Sequence, residues 1–145
     1  MAGIRVNTGV KRIEVNDDGD YITLSLSDND FLNRFFALYE NSQKMANEFS
    51  SSEAQIREKY QGDAETSAAC LREVLSIYTE AGKNMMSEVD NLFGAGTCQK
   101  VFGDITPSFE LYYDFFEQLT PYLQEFAKEK TQRMSKYSAA RTGNV

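Results

Sequence analysis

The side chains best suited to catalysis or metal binding are few in this sequence. No histidine occurs among its 145 residues, which excludes His-based acid–base chemistry and ordinary zinc sites. The two cysteines, Cys70 and Cys98, lie far apart, form no CxxC pattern and have no histidine that could activate a thiolate. We therefore expect neither cysteine to act as a nucleophile, and we expect Cys70 to be a small packing residue within a helix.

Carboxylates are the one abundant type of side chain that could take part in catalysis or metal binding. Glu110, Asp114 and Glu117 follow one another at steps of four and three, so they share one face of a predicted helix. Such a face can bind a cation, but dinuclear carboxylate bundles combine their glutamates with Glu-x-x-His pairs, which are absent here. A solvated acidic face is the better interpretation. The sequence predicts no enzyme, no metal site and no cofactor.

The charge of the chain is unevenly distributed. The net charge is −7, yet residues 127–145 hold five basic residues and one acidic residue, so the remaining residues 1–126 carry −11. An acidic body repels phosphates and argues against nucleic-acid binding. The basic segment is either a solvated end or a contact for an acidic partner or a second copy. The sequence has no signal-peptide pattern and no apolar stretch of about 18 residues, so we expect a soluble intracellular protein without membrane contact.

Residues 1–26 show the period-two alternation of half-buried strands. Asp18-Gly19 is a strong hairpin-turn signal, and Asn7-Thr8-Gly9 predicts a second turn. A calcium loop around the three aspartates of residues 17–20 is disfavoured, because their spacing is too short for an EF-hand. The alternating apolar residues are Ile4, Val6, Ile13, Val15, Ile22, Leu24 and Leu26.

Two long helices are predicted over residues 28–61 and 63–93, each followed by a glycine. Ser27 or Asp28 can cap the first helix, and the serine run at 50–52 predicts a break or kink within it. A short connection between the two makes an antiparallel helical hairpin. The apolar stripes are Phe31, Phe35, Leu38, Met45, Phe49, Ile56 and Tyr60 in the first helix, and Leu71, Val74, Leu75, Tyr78, Ala81, Met85, Val89 and Leu92 in the second.

A loop over residues 94–105 is predicted to lead into a third helix over residues 106–126, opened by Thr106-Pro107. Gly94-x-Gly96 lacks the strand and the third glycine of a phosphate-binding loop. The fold class is therefore mainly α with a small N-terminal antiparallel β hairpin or meander (α+β). Residues 1–126 form a single domain, and residues 127–145 form a partly disordered tail or a helix extension.

The third helix is densely aromatic, and Pro121 is expected to kink or restart it. One apolar stripe suffices to pack this helix on a hairpin, yet Tyr113 and Phe115 fall on other faces. A helix that is apolar on more than one side is either deeply buried or part of an interface, and we favour an interface. The residues predicted to bind a partner are Phe93, Phe102, Phe109, Tyr112, Tyr113, Phe115, Phe116 and Tyr122.

Two parts of the chain are similar to a known family. They are IRVN (4–7) and IEVNDDGDYI (13–22) with FFAL (35–38), and NLFGAGTCQKVFGD (91–104) followed by Pro107. Both resemble tail assembly chaperone-like proteins of tailed phages and prophages of Gram-positive bacteria, of the siphophage type. In that family a compact domain ends in a glycine-flanked Phe-Gly loop and a helix.

The resemblance implies a non-enzymatic role in the cytoplasm of the bacterial host. The expected partner is the tape measure protein, a long apolar helical chain that such chaperones coat during tail assembly, and the chain is expected to form homo-oligomers. Two alternatives remain: a structural virion component such as a tail or connector protein, and a helical-hairpin protein-interaction module.

Overall fold

The computed structural model describes residues 2–63 and 67–142, which fall into two compact units divided between Tyr113 and Asp114. Within these residues, two strands are followed by four helices. The mainly α fold with a small N-terminal β hairpin is thereby confirmed. The elements are β1 (Val10–Glu14), β2 (Tyr21–Ser25), α1 (Asn29–Tyr60), a single 3-10 turn (Gln61–Asp63), α2 (Ala68–Phe93), α3 (Thr97–Phe102) and α4 (Phe109–Thr142).

Strands β1 and β2 form an antiparallel hairpin in which Ile13 lies opposite Ile22. The predicted turn between them is confirmed. The Asn16 side-chain oxygen accepts the backbone N–H of Asp18 at 2.9 Å, and Gly19 supplies a φ of +86° that other residues rarely adopt. Strand β2 alternates between buried and more exposed residues, so its apolar side chains face the interior of the first unit.

Residues 2–9 form no strand, although the sequence predicted strands throughout residues 1–26. The turn expected at Asn7-Thr8-Gly9 is present: the Asn7 Oδ1 accepts the N–H of Gly9 at 3.0 Å, and Gly9 has a φ of +68°. A strand returning from this turn would place Ile4 and Val6 on the exposed face of the hairpin, where they would bury nothing. Because this pairing would bury no apolar side chain, it would gain little free energy, and residues 2–9 form no third strand.

Helix α1 begins where the sequence predicted, because Asp28 Oδ1 accepts the N–H groups of Asp30 and Phe31 at 3.0 and 3.3 Å. It then passes through the serine run at 50–52 without the expected break. The next residue is Glu53, whose Oε2 accepts the Tyr78 hydroxyl at 2.8 Å, and this hydrogen bond ties the stretch of α1 to α2.

Helix α2 is capped by Ser67, whose hydroxyl oxygen accepts the N–H of Cys70 at 3.3 Å, and it is followed by Gly94 as predicted. It therefore begins at Ala68, later than the predicted residue 63; residues 64–66 lie outside the described residues. Arg34 contacts the Asn91 carbonyl at 3.3 Å at one end of the helix pair, and Lys59 contacts Glu73 at 3.1 Å at the other. The two helices are therefore antiparallel, as the sequence predicted.

The predicted loop over residues 94–105 contains the short helix α3. Helix α4 begins at Phe109, three residues later than expected, and continues unbroken through Pro121 to Thr142. The expected restart at Pro121 is absent because its ring lies on an exposed side, where water can hydrate the carbonyl that loses its donor. Of the two predicted states of residues 127–145, the helix extension is therefore present as far as residue 142.

Candidate partner-binding surfaces

Phe109 and Tyr112, two of the residues predicted to bind a partner, are buried in the first unit. The ring of Phe109 lies 5.3 Å from that of Phe49 in an edge-to-face arrangement. Tyr112 has Phe102 against its ring at 5.1 Å, and its hydroxyl donates to the backbone carbonyl of Gly82 at 3.0 Å. Phe109 and Tyr112 are therefore core residues that hold the start of α4 against the helical hairpin.

Phe93, Phe102 and Tyr113 are half-buried residues of the same unit. The ring of Phe93 packs edge-on against Phe31 at 5.7 Å, and Tyr113 stacks on Tyr39 at 5.9 Å. Each of the three thus has an aromatic neighbour within its own chain. A contact between their exposed parts and a partner stays a prediction.

In the second unit, Phe115 and Phe116 are buried and Tyr122 is half-buried. The rings of Phe115 and Phe116 lie 5.9 Å apart. Phe109, Tyr112, Phe115 and Phe116 therefore form no exposed aromatic surface in the folded chain, and a contact between them and a partner stays a prediction. The sequence left deep burial and an interface as the two possibilities for this helix. These four side chains are deeply buried in the folded chain.

The environment of Cys98 is that of a structural residue. Its backbone N–H donates to Asp90 Oδ1 at 2.9 Å, and its thiol donates to the Met86 carbonyl at 3.7 Å. Burial, reinforced by the charge of Asp90, raises the pKa of the Cys98 thiol to about 12. Burial also raises the pKa of the neighbouring Tyr112 hydroxyl above its usual range. Both groups stay protonated at neutral pH, so neither is an activated nucleophile.

No group of three or more His, Cys, Asp or Glu side chains in the described ranges is arranged to hold a metal ion. Nor does the described part of the chain contain a helix that is long and apolar enough to cross a membrane.

Sequence reasoning missed an exposed apolar patch on α2. Leu71 and Leu75 were predicted to lie in the buried stripe of this helix, but their side chains are 48% and 64% exposed. The correction has a simple reason: Val74 and the residues in line with it already fill the α1–α2 contact, and the two leucines lie beside that line. A shallow groove of about 390 Å³ adjoins Leu75 and is lined by Arg72, Leu75, Ser76, Thr79, Glu80 and Lys83.

A second groove lies between α1 and α2, near the end of the hairpin that holds the N-terminus of α1. Its volume is about 420 Å³. Ala37, Leu38 and Leu92 give it an apolar floor, while Arg34 reaches across to the backbone of α2. The groove is open and small compared with a partner helix, so it suits a few side chains of a partner and not a whole segment.

The C-terminal part of α4 is a basic helical segment, which we call the basic extension, residues 127–142. Every side chain from residue 127 to residue 138 is exposed, including Met134 and Tyr137 at 60% and 64%. Lys128, Lys130, Arg133 and Lys136 give these residues their charge. Residues 127–138 therefore add no buried apolar side chain to the core of their own chain.

Over residues 18–144 the chain matches the model of a family of unknown function (DUF6673), and it belongs to that family. The match begins within the hairpin turn and includes β2, all four helices and the basic extension. No curated protein and no solved structure matches the chain.

Proposed function

We propose that this member of DUF6673 is a non-enzymatic tail assembly chaperone, which binds a tape measure protein and self-associates in the cytoplasm of a bacterial host. The proposal starts from the resemblance to such chaperones of residues 4–7, 13–22 and 35–38, and of residues 91–104 with Pro107. The observation that carries it is the basic extension, a helical segment of positive charge whose side chains are exposed from residue 127 to residue 138, on a chain that is otherwise acidic.

The basic extension supports a role in association for an energetic reason. The basic extension is exposed from residue 127 to residue 138, so a partner that covers it would bury surface that the chain leaves in water. Its positive charge and exposed Met134 and Tyr137 suit a partner surface that is acidic and partly apolar. Residues 1–126, with a charge of −11, offer such a surface in a second copy. A contact between two different surfaces of identical chains repeats from copy to copy and builds an open chain.

The patch formed by Leu71 and Leu75 is the surface that best suits the tape measure protein. These leucines lie one helical turn apart, and the adjoining groove of about 390 Å³ can receive side chains of an approaching helix. A long amphipathic helix presents apolar residues at the same three- and four-residue spacing. The patch would shield that helix from aggregation, and the acidic body would keep the complex dissolved.

A pull-down with the tape measure protein of the same tail module tests this surface. Leu71→Ser with Leu75→Ser should reduce capture at least tenfold, while Ile105→Ser, which alters another exposed apolar residue, should not. Equal capture by all three proteins would remove the Leu71–Leu75 patch from the proposal. Absence of capture by the wild-type chain would contradict the chaperone function itself.

Self-association is tested separately by removing residues 127–145. A matched variant replaces Lys128, Lys130, Arg133 and Lys136 with glutamine, which keeps the helix and removes its charge. Sedimentation velocity should show smaller species for both variants, and added salt should dissociate the wild-type chain. Unchanged sedimentation of the truncated chain would exclude the basic extension as the contact.

The exposed edge of β1 favours one alternative, a structural virion component whose strands extend a shared sheet. Mass spectrometry of purified particles distinguishes the two functions. A structural component is present in the finished particle, whereas an assembly chaperone is absent from it.

A further inference from the structure

Residues 2–9 contain a strand-like pattern that the chain itself does not use. Ile4 and Val6 alternate with polar or small residues, and their side chains are 92% and 77% exposed. Alternation of this kind creates one apolar face when the backbone is extended. No described element covers that face, so two β-favouring apolar side chains are left in water.

Strand β1 offers an edge that could pair with such a segment. It is hydrogen-bonded to β2 on one side, and no other strand of the described chain pairs with its second side. The outer edge of β2 is less open, because the loop after α2 lies beside it and Asn16 donates to the Lys100 carbonyl at 2.9 Å. Two-stranded sheets are marginally stable, and a third strand would strengthen this one.

Pairing within one chain would put the apolar side chains on the wrong face. A strand that returns directly from the Asn7–Gly9 turn places Val6 opposite Val10. Val10 lies on the sheet face opposite to that of Ile22, because Ile13 is the neighbour of Ile22 and faces alternate along a strand. Val10 is 54% exposed, so Val6 beside it would gain little burial.

We propose that residues 3–7 of one copy add as an antiparallel strand to the free edge of β1 in a second copy. A register with Arg5 opposite Glu14 places Val6 beside Ile13 and Ile4 beside Val15, on the face that leads to the interior. The same register sets a positive charge against a negative one on the exposed face, and opposite charges across strands stabilise a sheet.

This pairing supplies backbone hydrogen bonds, an apolar face and a charge pair in one register. Each copy has one donor segment and one acceptor edge. Reciprocal exchange therefore closes a dimer, and one-way donation builds an open chain. The inference rests on the self-association in the proposed function, but it uses a surface separate from the basic extension.

A charge exchange tests the register. Arg5→Glu and Glu14→Arg each place like charges opposite one another and should weaken self-association on the order of fivefold, as measured by sedimentation equilibrium. In the double variant, positions 5 and 14 again carry opposite charges, with the signs exchanged. Its dissociation constant for self-association should therefore return to within about twofold of the wild-type value. Asp18→Arg, which makes the same charge change in the exposed turn, serves as the control. If the double variant self-associates no more tightly than either single variant, the proposed register is overturned.

Cysteine trapping tests whether the contact is between chains. A mixture of the Arg5→Cys and Glu14→Cys chains should form a mixed disulfide dimer on mild oxidation, whereas Arg5→Cys with Lys11→Cys, on the opposite sheet face, should not. Background is low because Cys70 and Cys98 are buried. In a dilute chain carrying both Arg5→Cys and Lys11→Cys, two positions that pairing within one chain would set opposite each other, a disulfide within the monomer would show that pairing and refute the proposal.

These outcomes separate the inference from the proposed function. If truncation of residues 127–145 dissociates the protein while Arg5→Glu and Glu14→Arg have no effect, strand addition is overturned and the chaperone proposal stands. A wild-type chain that is monomeric at every concentration overturns strand addition, while capture of the tape measure protein tests the chaperone function independently.

Discussion

Gly82 marks the closest approach between α2 and the segment that leads into α4, and its replacement by alanine tests the packing there. A Cβ atom at this position would lie 2.6 Å from the carbonyl oxygen of Pro107, whereas ordinary contacts begin near 3.4 Å. Pro107 is fully buried, and Tyr112 donates its hydroxyl to the Gly82 carbonyl. One of the backbones must therefore move by about 0.8 Å to accept a methyl group.

The expected effect of Gly82→Ala combines two opposing contributions. Alanine favours a helix interior over glycine by about 1 kcal/mol. Overpacking at a buried site costs about 1–3 kcal/mol, and a backbone shift that breaks the Tyr112 hydrogen bond costs about 1–3 kcal/mol more. We therefore expect the free energy of unfolding to fall by about 2 kcal/mol, although alanine is the better helix former.

Urea denaturation followed by circular dichroism measures this change, with Gly62→Ala as the matched control. A Cβ at Gly62 meets no atom within 4 Å, so this variant should be stabilised by about 0.5 kcal/mol through the unfolded state. Tyr112→Phe should cost less in the Gly82→Ala background than in the wild type, because the hydrogen bond is already weakened there. A Gly82→Ala protein as stable as the wild type would refute the steric argument.

Three further predictions concern Glu53, Cys98 and Pro121. Hydrogen bonds from Tyr78 and then Arg57 lower the pKa of Glu53 below its usual 4.5. The resulting stability is present above pH 4.5 and is lost as the pH falls through the lowered pKa. Tyr78→Phe should therefore lower the free energy of unfolding by about 1 kcal/mol at pH 7. The difference from the wild type should shrink progressively when unfolding is measured at lower pH. Because Cys98 is buried and has a pKa near 12, it should react with a thiol reagent at pH 8 only as fast as the protein unfolds. Rapid labelling of Cys98 in the native Cys70→Ser protein would contradict its burial. Pro121→Ala should raise the free energy of unfolding by about 2 kcal/mol, because it restores a backbone N–H donor and removes the proline ring from the preceding turn of α4. An unchanged urea midpoint would show that the helix already accommodates proline there.

Local signals predicted the elements of this fold, because the residues that set each boundary act within a few positions. Asp28 caps α1 through its own side chain, and Gly19 permits the hairpin turn wherever the rest of the chain lies. The missed start of α4 depends on another segment. The start of α4 at Phe109 follows from the close packing of Pro107 on Gly82, which no periodicity in either segment reveals.

Burial was harder to predict than secondary structure for the same physical reason. Helical periodicity places Leu71 and Leu75 near the apolar side of α2, but only the width of the α1 contact decides that they remain outside it. Conversely, Phe115 lies off the main stripe of α4 and is nevertheless buried. A sequence pattern gives the direction of a side chain about its helix axis, while the number of covered faces depends on the neighbours.

The burial of the aromatic residues changes where binding energy for a partner can come from. Phe109, Tyr112, Phe115 and Phe116 already stabilise the chain itself, and extracting them for a partner would forfeit on the order of 3–5 kcal/mol for each ring. Surfaces that are exposed in the folded chain need no such opening. The association that we propose through the Leu71–Leu75 patch and the basic extension would therefore require no unfolding of the chain, and the proposed cycle of binding and release during tail assembly depends on this property.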